Sequence, residues 1–294
     1  MPLNYAGLMA AAPVVTGQSY DRRDTILYAL GVGCGVRDPL DGGDLSFLLE
    51  DRLAALPTMA VTLAWDDGWM RDPATGIDLR RVLHGEQRLT LHAPLPPAGR
   101  VTGDLRIVEI FDKGRDADGR GKGAVMLLRR TLTEAESGTL LATAEQVVFI
   151  RGEGGFGGAV AGQPVPHPMP AEGTPPDLVT DLPTRPEQAL VYRLSGDWNP
   201  LHADPAFAAA AGFSRPILHG LCTYGVAGRA VLRLAAGNDP ARLRRLDGRF
   251  TAPVFPGETI RTELWHQGDG RYALRARVVE RDVVVLNNGL AEIG

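Results

Sequence analysis

Tyr192-Arg193-Leu194-Ser195-Gly196-Asp197-Trp198-Asn199-Pro200-Leu201-His202-Ala203-Asp204-Pro205 places a carboxylate, an amide and an imidazole within six residues. Asn199 before Pro200 reads as a helix N-cap followed by proline at the first helical position. Asp204 before Pro205 repeats the device. The backbone is thus told twice where to turn. Asp197, Asn199 and His202 are left at the rim of a short helical turn. A carboxylate beside an imidazole is what a site needs to hold one water and move its protons. The same residues also admit a plain capping role, since Asp caps are common.

Downstream, residues 205–211 predict a short alanine-rich helix closed by Gly212 in a left-handed cap. Phe213-Ser214-Arg215-Pro216-Ile217-Leu218-His219-Gly220 predicts a loop. A second helix is expected over 220–235, about four turns, with Gly237 as its stop. It is mostly apolar and rich in small residues, so it is expected to be buried and closely approached by other backbone. The Gly220 amide falls in its first turn, where amides lack intrahelical partners and carry the positive end of the dipole. His202, Asp204 and His219 could form a metal site on paper, but their spacing matches no established ligand pattern.

The run Tyr-Arg-Leu-Ser-Gly-Asp-x-Asn-Pro-Leu-His-x-Asp-Pro, followed by Gly-Phe-x-x-Pro-Ile-Leu-His-Gly-Leu-Cys-Thr, closely resembles the signature of the (R)-specific enoyl-CoA hydratases, the MaoC-like dehydratases. The resemblance implies an α+β chain of two tandem hot-dog units. Each is a curled antiparallel sheet around a helix, with the long helix reduced in the first unit to leave room for an acyl group. It also implies that Asp197 and His202 are the catalytic pair, that Asn199 helps to position them, and that the Gly220 amide binds the thioester oxygen. Tyr192, Arg193 and His219 join the substrate-binding candidates, with Arg193 also able to pair with a carboxylate. His84 lies in a Leu-His-Gly-Glu-Gln run that the family shares, without an assigned role.

The 294 residues allow one large or two ordinary domains. A net charge of −4 argues against nucleic acid or an anionic membrane as partner. The two cysteines, Cys34 and Cys222, lie in apolar runs and read as buried free thiols. The N-terminus lacks a basic n-region, the C-terminus is not a peroxisomal address, and no apolar run is long enough to span a bilayer. These features fit a cytoplasmic protein, expected as a homodimer.

A weak repeat supports two units. Tyr28-Ala29-Leu30-Gly31 echoes Tyr192-Arg193-Leu194-Ser195, 164 residues apart, and Pro94–Gly99 echoes Pro253–Gly257. Where the second unit has Asn199-Pro200-Leu201-His202, the first has Asp38-Pro39-Leu40-Asp41, so one site per chain is expected. The units are placed at 1–151 and 181–294. In the first, helices are predicted over 24–31 and 44–56, strands over 83–91, 101–111, 124–131 and 140–151, and a poor helix over 65–77. In the second, 242–250 precedes strands over 259–265, 271–279 and 283–286. The two sheets are expected side by side. The Gly/Pro-rich stretch between the units, 152–180, is read as a flexible connector. Within it, Gly152-Glu153-Gly154-Gly155-Phe156-Gly157 matches a dinucleotide fingerprint but lacks the helix that the motif requires. His92, His167 and His266 read as surface or strand positions. Arg242, Arg244 and Arg245 form a basic cluster, either a solvated helix end or a contact for coenzyme A phosphates.

The expected reaction is reversible hydration of trans-2-enoyl-CoA to (3R)-3-hydroxyacyl-CoA. Asp197 is favoured as base, and no metal or redox cofactor is needed because coenzyme A is part of the substrate. A hot-dog thioesterase and a non-catalytic acyl-CoA binder are the alternatives.

Overall fold

The computed structural model describes residues 3–36 and 42–294; Asp38, Pro39, Leu40 and Asp41 lie outside them. In the first half, α1 (Tyr5–Met9) and β1 (Val14–Tyr20) precede α2 (Arg22–Gly31). A reciprocal capping box fixes the start of α2: Asp21 accepts from the Asp24 amide and Asp24 from the Asp21 amide. The helix expected over 44–56 does not form. It is reduced to α3 (Gly42–Leu45) and a 3-10 turn at Glu50–Arg52. Proline then opens a further 3-10 turn at Pro57–Val61, all five residues of which are buried.

Arg130 explains why these turns hold without a helix. Its buried guanidinium donates to the carbonyls of Ala60 and Leu63, both at 2.6 Å. Those carbonyls would otherwise be buried and unmet. Burial lowers its pKa to about 10, which still leaves it charged at neutral pH. The turns also press close to the sheet: a Cβ at Gly103 would sit 2.5 Å from the Ala64 carbonyl oxygen. Turns thus stand where the helix was expected.

Four strands follow: β2 (Val82–Leu91), β3 (Gly99–Asp112), β4 (Ala124–Glu134) and β5 (Leu140–Ile150). The glycine run after β5 does bind an anion, but it is the protein's own. The Gly155 and Gly157 amides donate to Asp112 at 2.7 and 2.9 Å. Burial would raise this carboxyl, yet these amides and those of Gly114 and Phe156 hold it below its ordinary value. The stretch read as a flexible connector is tied down along its length. Arg88 donates to the Val165 carbonyl, the His167 ring meets Asp247 at 2.7 Å, Asn288 donates to the His167 carbonyl and the Trp265 indole to that of Thr174. His167 is therefore a clasp rather than a plain surface position.

The second half runs β6 (Leu178–Pro183), α4 (Gln188–Tyr192), α5 (Pro205–Ala210), α6 (Gly220–Ala235), β7 (Leu243–Phe250), β8 (Thr259–His266), β9 (Arg271–Val278) and β10 (Val283–Ile293). The boundary at 181 falls inside β6. The last strand continues past the expected 286, because register shifts around Asn287–Leu290 let it bend and stay paired to β7 and β9.

Among the described residues, ten strands form one sheet in the order β1-β3-β4-β5-β2-β7-β10-β9-β8-β6. Each half contributes its strands in the same pattern. The two sheets are therefore fused, through an antiparallel β2–β7 seam centred on Arg88 and Asp247. The repeated tyrosines meet as well, with Tyr28 and Tyr192 6.1 Å apart between ring centroids.

Helix α6 packs on β6, β7, β8 and β10 and on the Pro57–Val61 turn. Every residue from Cys222 to Leu232 is buried. Its glycines are there for contact: a Cβ at Gly225 would lie 2.5 Å from Val32, and one at Gly228 2.5 Å from Thr58. One core cluster consequently joins residues of both halves. No helix among the described residues is long and apolar enough to cross a membrane.

Candidate active site

The 192–220 region folds as its caps direct. Asn199 accepts from the Leu201 amide at 3.0 Å and opens a 3-10 turn, Pro200–His202. Asp204 accepts from the Ala206 and Phe207 amides and opens α5, and Gly212 follows it at φ 88°. Asp197, Trp198, Asn199 and Pro200 are exposed, while His202 and His219 are buried. The turn thus places an open carboxylate over two enclosed imidazoles. The carboxylate and ring-nitrogen atoms of Asp197, His202 and His219 lie within 4.8 Å of one another.

The hydrogen bonds fix the tautomers. His202 Nδ1 lies 2.9 Å from the Ile217 carbonyl, so it carries the proton and donates. Nε2 is left as the bare acceptor. Burial lowers the His202 pKa, against the Ile217 carbonyl and the Asp197 charge, so the ring is neutral near pH 7. His219 stacks on it, with centroids 3.7 Å apart and planes at 29°. His219 Nε2 donates to the Asp197 carbonyl at 3.2 Å, leaving Nδ1 buried without a partner. Burial, with the neighbouring His202, pushes the His219 pKa to about 4. The Asp197 carboxylate and the two imidazoles thus form a cluster with the donor set for either a hydrogen-bonded water or a cation.

Tyr192 is buried, its ring tilted at 51° to that of His219 with centroids 4.9 Å apart, and its hydroxyl has no partner among the described residues. Among the described residues Arg193 pairs with no carboxylate; its guanidinium lies 4.6 Å over the Trp198 ring. Asn199 spends its side-chain oxygen on the cap that holds His202. At the start of α6, His219 occupies the N-cap position without a side-chain cap, and Gly220 is exposed. The first-turn amides are therefore available, with the helix dipole behind them.

Arg242, Arg244 and Arg245 do not join this group. Gly220 lies against Phe250 and Gly228 against Leu246, so β7 runs back along α6. The three arginines stand at the other end of the helix, about 24 Å away at 1.5 Å per residue. Arg242 donates to the Gly294 carbonyl, and Arg245 pairs with Asp247 at 2.8 Å. Asp204, once a possible ligand, is an N-cap.

The first half does contribute to the site. His84 sits at a bulge in β2, its ring 4.9 Å from that of Phe250, which in turn covers Gly220. Its Nε2 donates to the Glu86 carbonyl at 3.2 Å. Burial pushes its pKa to about 4, against that bond and the Asp197 charge. The Leu-His-Gly-Glu-Gln run marked His84 in the sequence; its approach across the β2–β7 seam was not readable there.

Comparison with known proteins finds relatives along both halves. A MaoC like domain matches residues 169–288, and an MFE-2 hydratase 2 N-terminal domain matches 18–152. The chain is 44% identical over 279 residues to a 3-hydroxyacyl-thioester dehydratase Y of Mycobacterium tuberculosis, covering 92% of this chain and 91% of that one. It is 37% identical over 286 residues to a peroxisomal enoyl-CoA hydratase 2 of Arabidopsis thaliana, covering 92% and 89%. A MaoC-like dehydratase from Phytophthora capsici has the same fold, with a TM-score of 0.85, 33% identity and 99% of each chain covered. With relatives matched along both halves, the chain belongs to the MaoC-like dehydratase family in its tandem hydratase 2 form.

Proposed function

We propose that the protein catalyses reversible hydration of trans-2-enoyl-CoA to (3R)-3-hydroxyacyl-CoA. The observation that carries this is the proton-free Nε2 of His202 beside the open Asp197 carboxylate. A water held by the two donates to one of them as its oxygen bonds to C3. The double-bond electrons move towards the thioester oxygen, where the Gly220 amide stabilises them. The pair then returns a proton to C2. Asn199 positions the turn, His219 supports both partners, and the first half accommodates the acyl chain. The (3R) outcome rests on the relatives named hydratase 2. A thioesterase would direct the water at the carbonyl carbon, and an inert binder would need no such pair.

Incubation with crotonyl-CoA tests all three. Loss of enoyl absorbance without thiol release is expected. Thiol release, or no reaction with any enoyl chain length, overturns the proposal. We also propose that no metal takes part. Turnover should survive exhaustive chelation, and loss restored by a divalent ion would refute this. The protein is proposed to be cytoplasmic and to work as a homodimer; the outer edge of β6, which carries no further strand among the described residues and has Val179 exposed, supports the dimer, and light scattering should give twice the chain mass.

A further inference from the structure

The residue after the site carboxylate is a tryptophan, and it faces solvent. Trp198 is 56% exposed, the most exposed aromatic side chain among the described residues. The Arg193 guanidinium lies over its ring at 4.6 Å. An exposed indole with a cation held on its face is a preformed stacking surface. A second guanidinium, that of Arg215, belongs to the loop that runs into Gly220; its one described contact is the Phe255 ring at 4.9 Å. Neither Arg193 nor Arg215 makes a salt bridge among the described residues. Arg281, which shares the Phe255 ring with Arg215, is neutralised by Glu258. Two uncompensated positive charges thus flank the opening, and the carbonyl of Ile217 ties their two segments together through His202.

We infer that Trp198, Arg193 and Arg215 form the subsite for the nucleotide end of a coenzyme A thioester. The inference rests on the proposed use of acyl-CoA. A thioester carbonyl at the Gly220 amide places the acyl chain inward, towards the buried imidazoles. Its carrier would then leave past the exposed Asp197, whose exposed neighbour in the chain is Trp198. An adenine has a flat face for the indole, and its phosphates answer the two guanidinium groups.

Adenosine 3',5'-bisphosphate, which has no acyl chain and cannot be hydrated, is the direct probe. Calorimetric titration should show binding to the wild-type protein. Trp198→Ala and Arg215→Gln should each weaken it about tenfold, the scale of one lost stacking or charged contact. Unchanged affinity in both variants, or no binding to the wild type, overturns the assignment. The second measurement is the preference, in kcat/KM, for crotonyl-CoA over its N-acetylcysteamine thioester, which lacks the nucleotide. Trp198→Ala should reduce that preference about tenfold. An equal fall on both thioesters, or an altered oligomeric mass, would show that Trp198 shapes the site or seats another copy, and would refute the subsite. If the wild type hydrates neither thioester, the hydratase reading fails while the titration still decides the subsite.

Discussion

At the scale of single residues, the site depends on a neutral His202 held by one backbone carbonyl. Asp197→Ala and His202→Ala should each lower hydration about 10²–10⁴-fold, the range of general acid–base catalysis, with circular dichroism unchanged. A folded variant that keeps most of its turnover removes that residue from the chemistry. The pH profile gives an independent check. The His202 pKa is depressed below 6.5, so the bare Nε2 persists through the ordinary imidazole range. Hydration should therefore hold as pH falls through 6.5 and decline only below it, whereas a midpoint at or above 6.5 would contradict a buried neutral ring. The same depression bears on stability. His219 and His84 both have native pKa values of about 4. Between about 4 and 6.5 the unfolded chain binds more protons than the folded one, so stability falls as pH drops through that window. The urea midpoint should decline progressively from pH 6.5 towards 4, and His84→Phe should flatten part of the slope.

At the scale of elements, α6 has two jobs that its glycines divide. Gly220 serves the open end. Gly220→Pro removes the amide yet is tolerated in a first helical turn, and should cost about 10²–10³ in turnover. Gly220→Ala keeps the amide, but its Cβ would stand 3.3 Å from the Phe250 ring, so a smaller loss is expected from crowding. Near-normal turnover of a folded Gly220→Pro enzyme would take the oxyanion role away from this amide. Gly225 and Gly228 serve the buried length. Gly228→Ala pushes a methyl to 2.5 Å from Thr58 and should destabilise by about 1–3 kcal/mol, read as a lower denaturation midpoint. The extent of α6, the caps at Asn199 and Asp204 and most of the strands were legible because periodicity and capping are local. The helix expected over 44–56 failed for a non-local reason: turns replaced it, and Arg130, far away on β4, satisfies the carbonyls of those that follow. Strands β1 and β6 escaped notice because edge strands show little alternation; β1 has one buried residue in seven.

At the scale of the molecule, the halves share one core and one sheet, so neither is expected to stand alone. The C-terminal half expressed from residue 169 onward would expose the faces of Gly225 and Gly228 that Val32 and Thr58 cover, and would open the β2–β7 seam. It should be insoluble or lack near-ultraviolet dichroism; a soluble, cooperatively melting fragment would contradict the shared core. The tandem arrangement itself was legible from the tyrosine and proline echoes. The continuity of the sheet was not, because nothing in either echo specifies that the last strand position of one half pairs with that of the other. Covalent linkage of the halves also alters how such a protein can change over generations. In an assembly of identical single units every substitution appears in both, so relief of one site and retention of the other cannot coexist. Here each half carries its own copy of the instructions. The N-terminal half holds compact turns where the C-terminal half has a long helix, and its His84 ring reaches Phe250 across the seam.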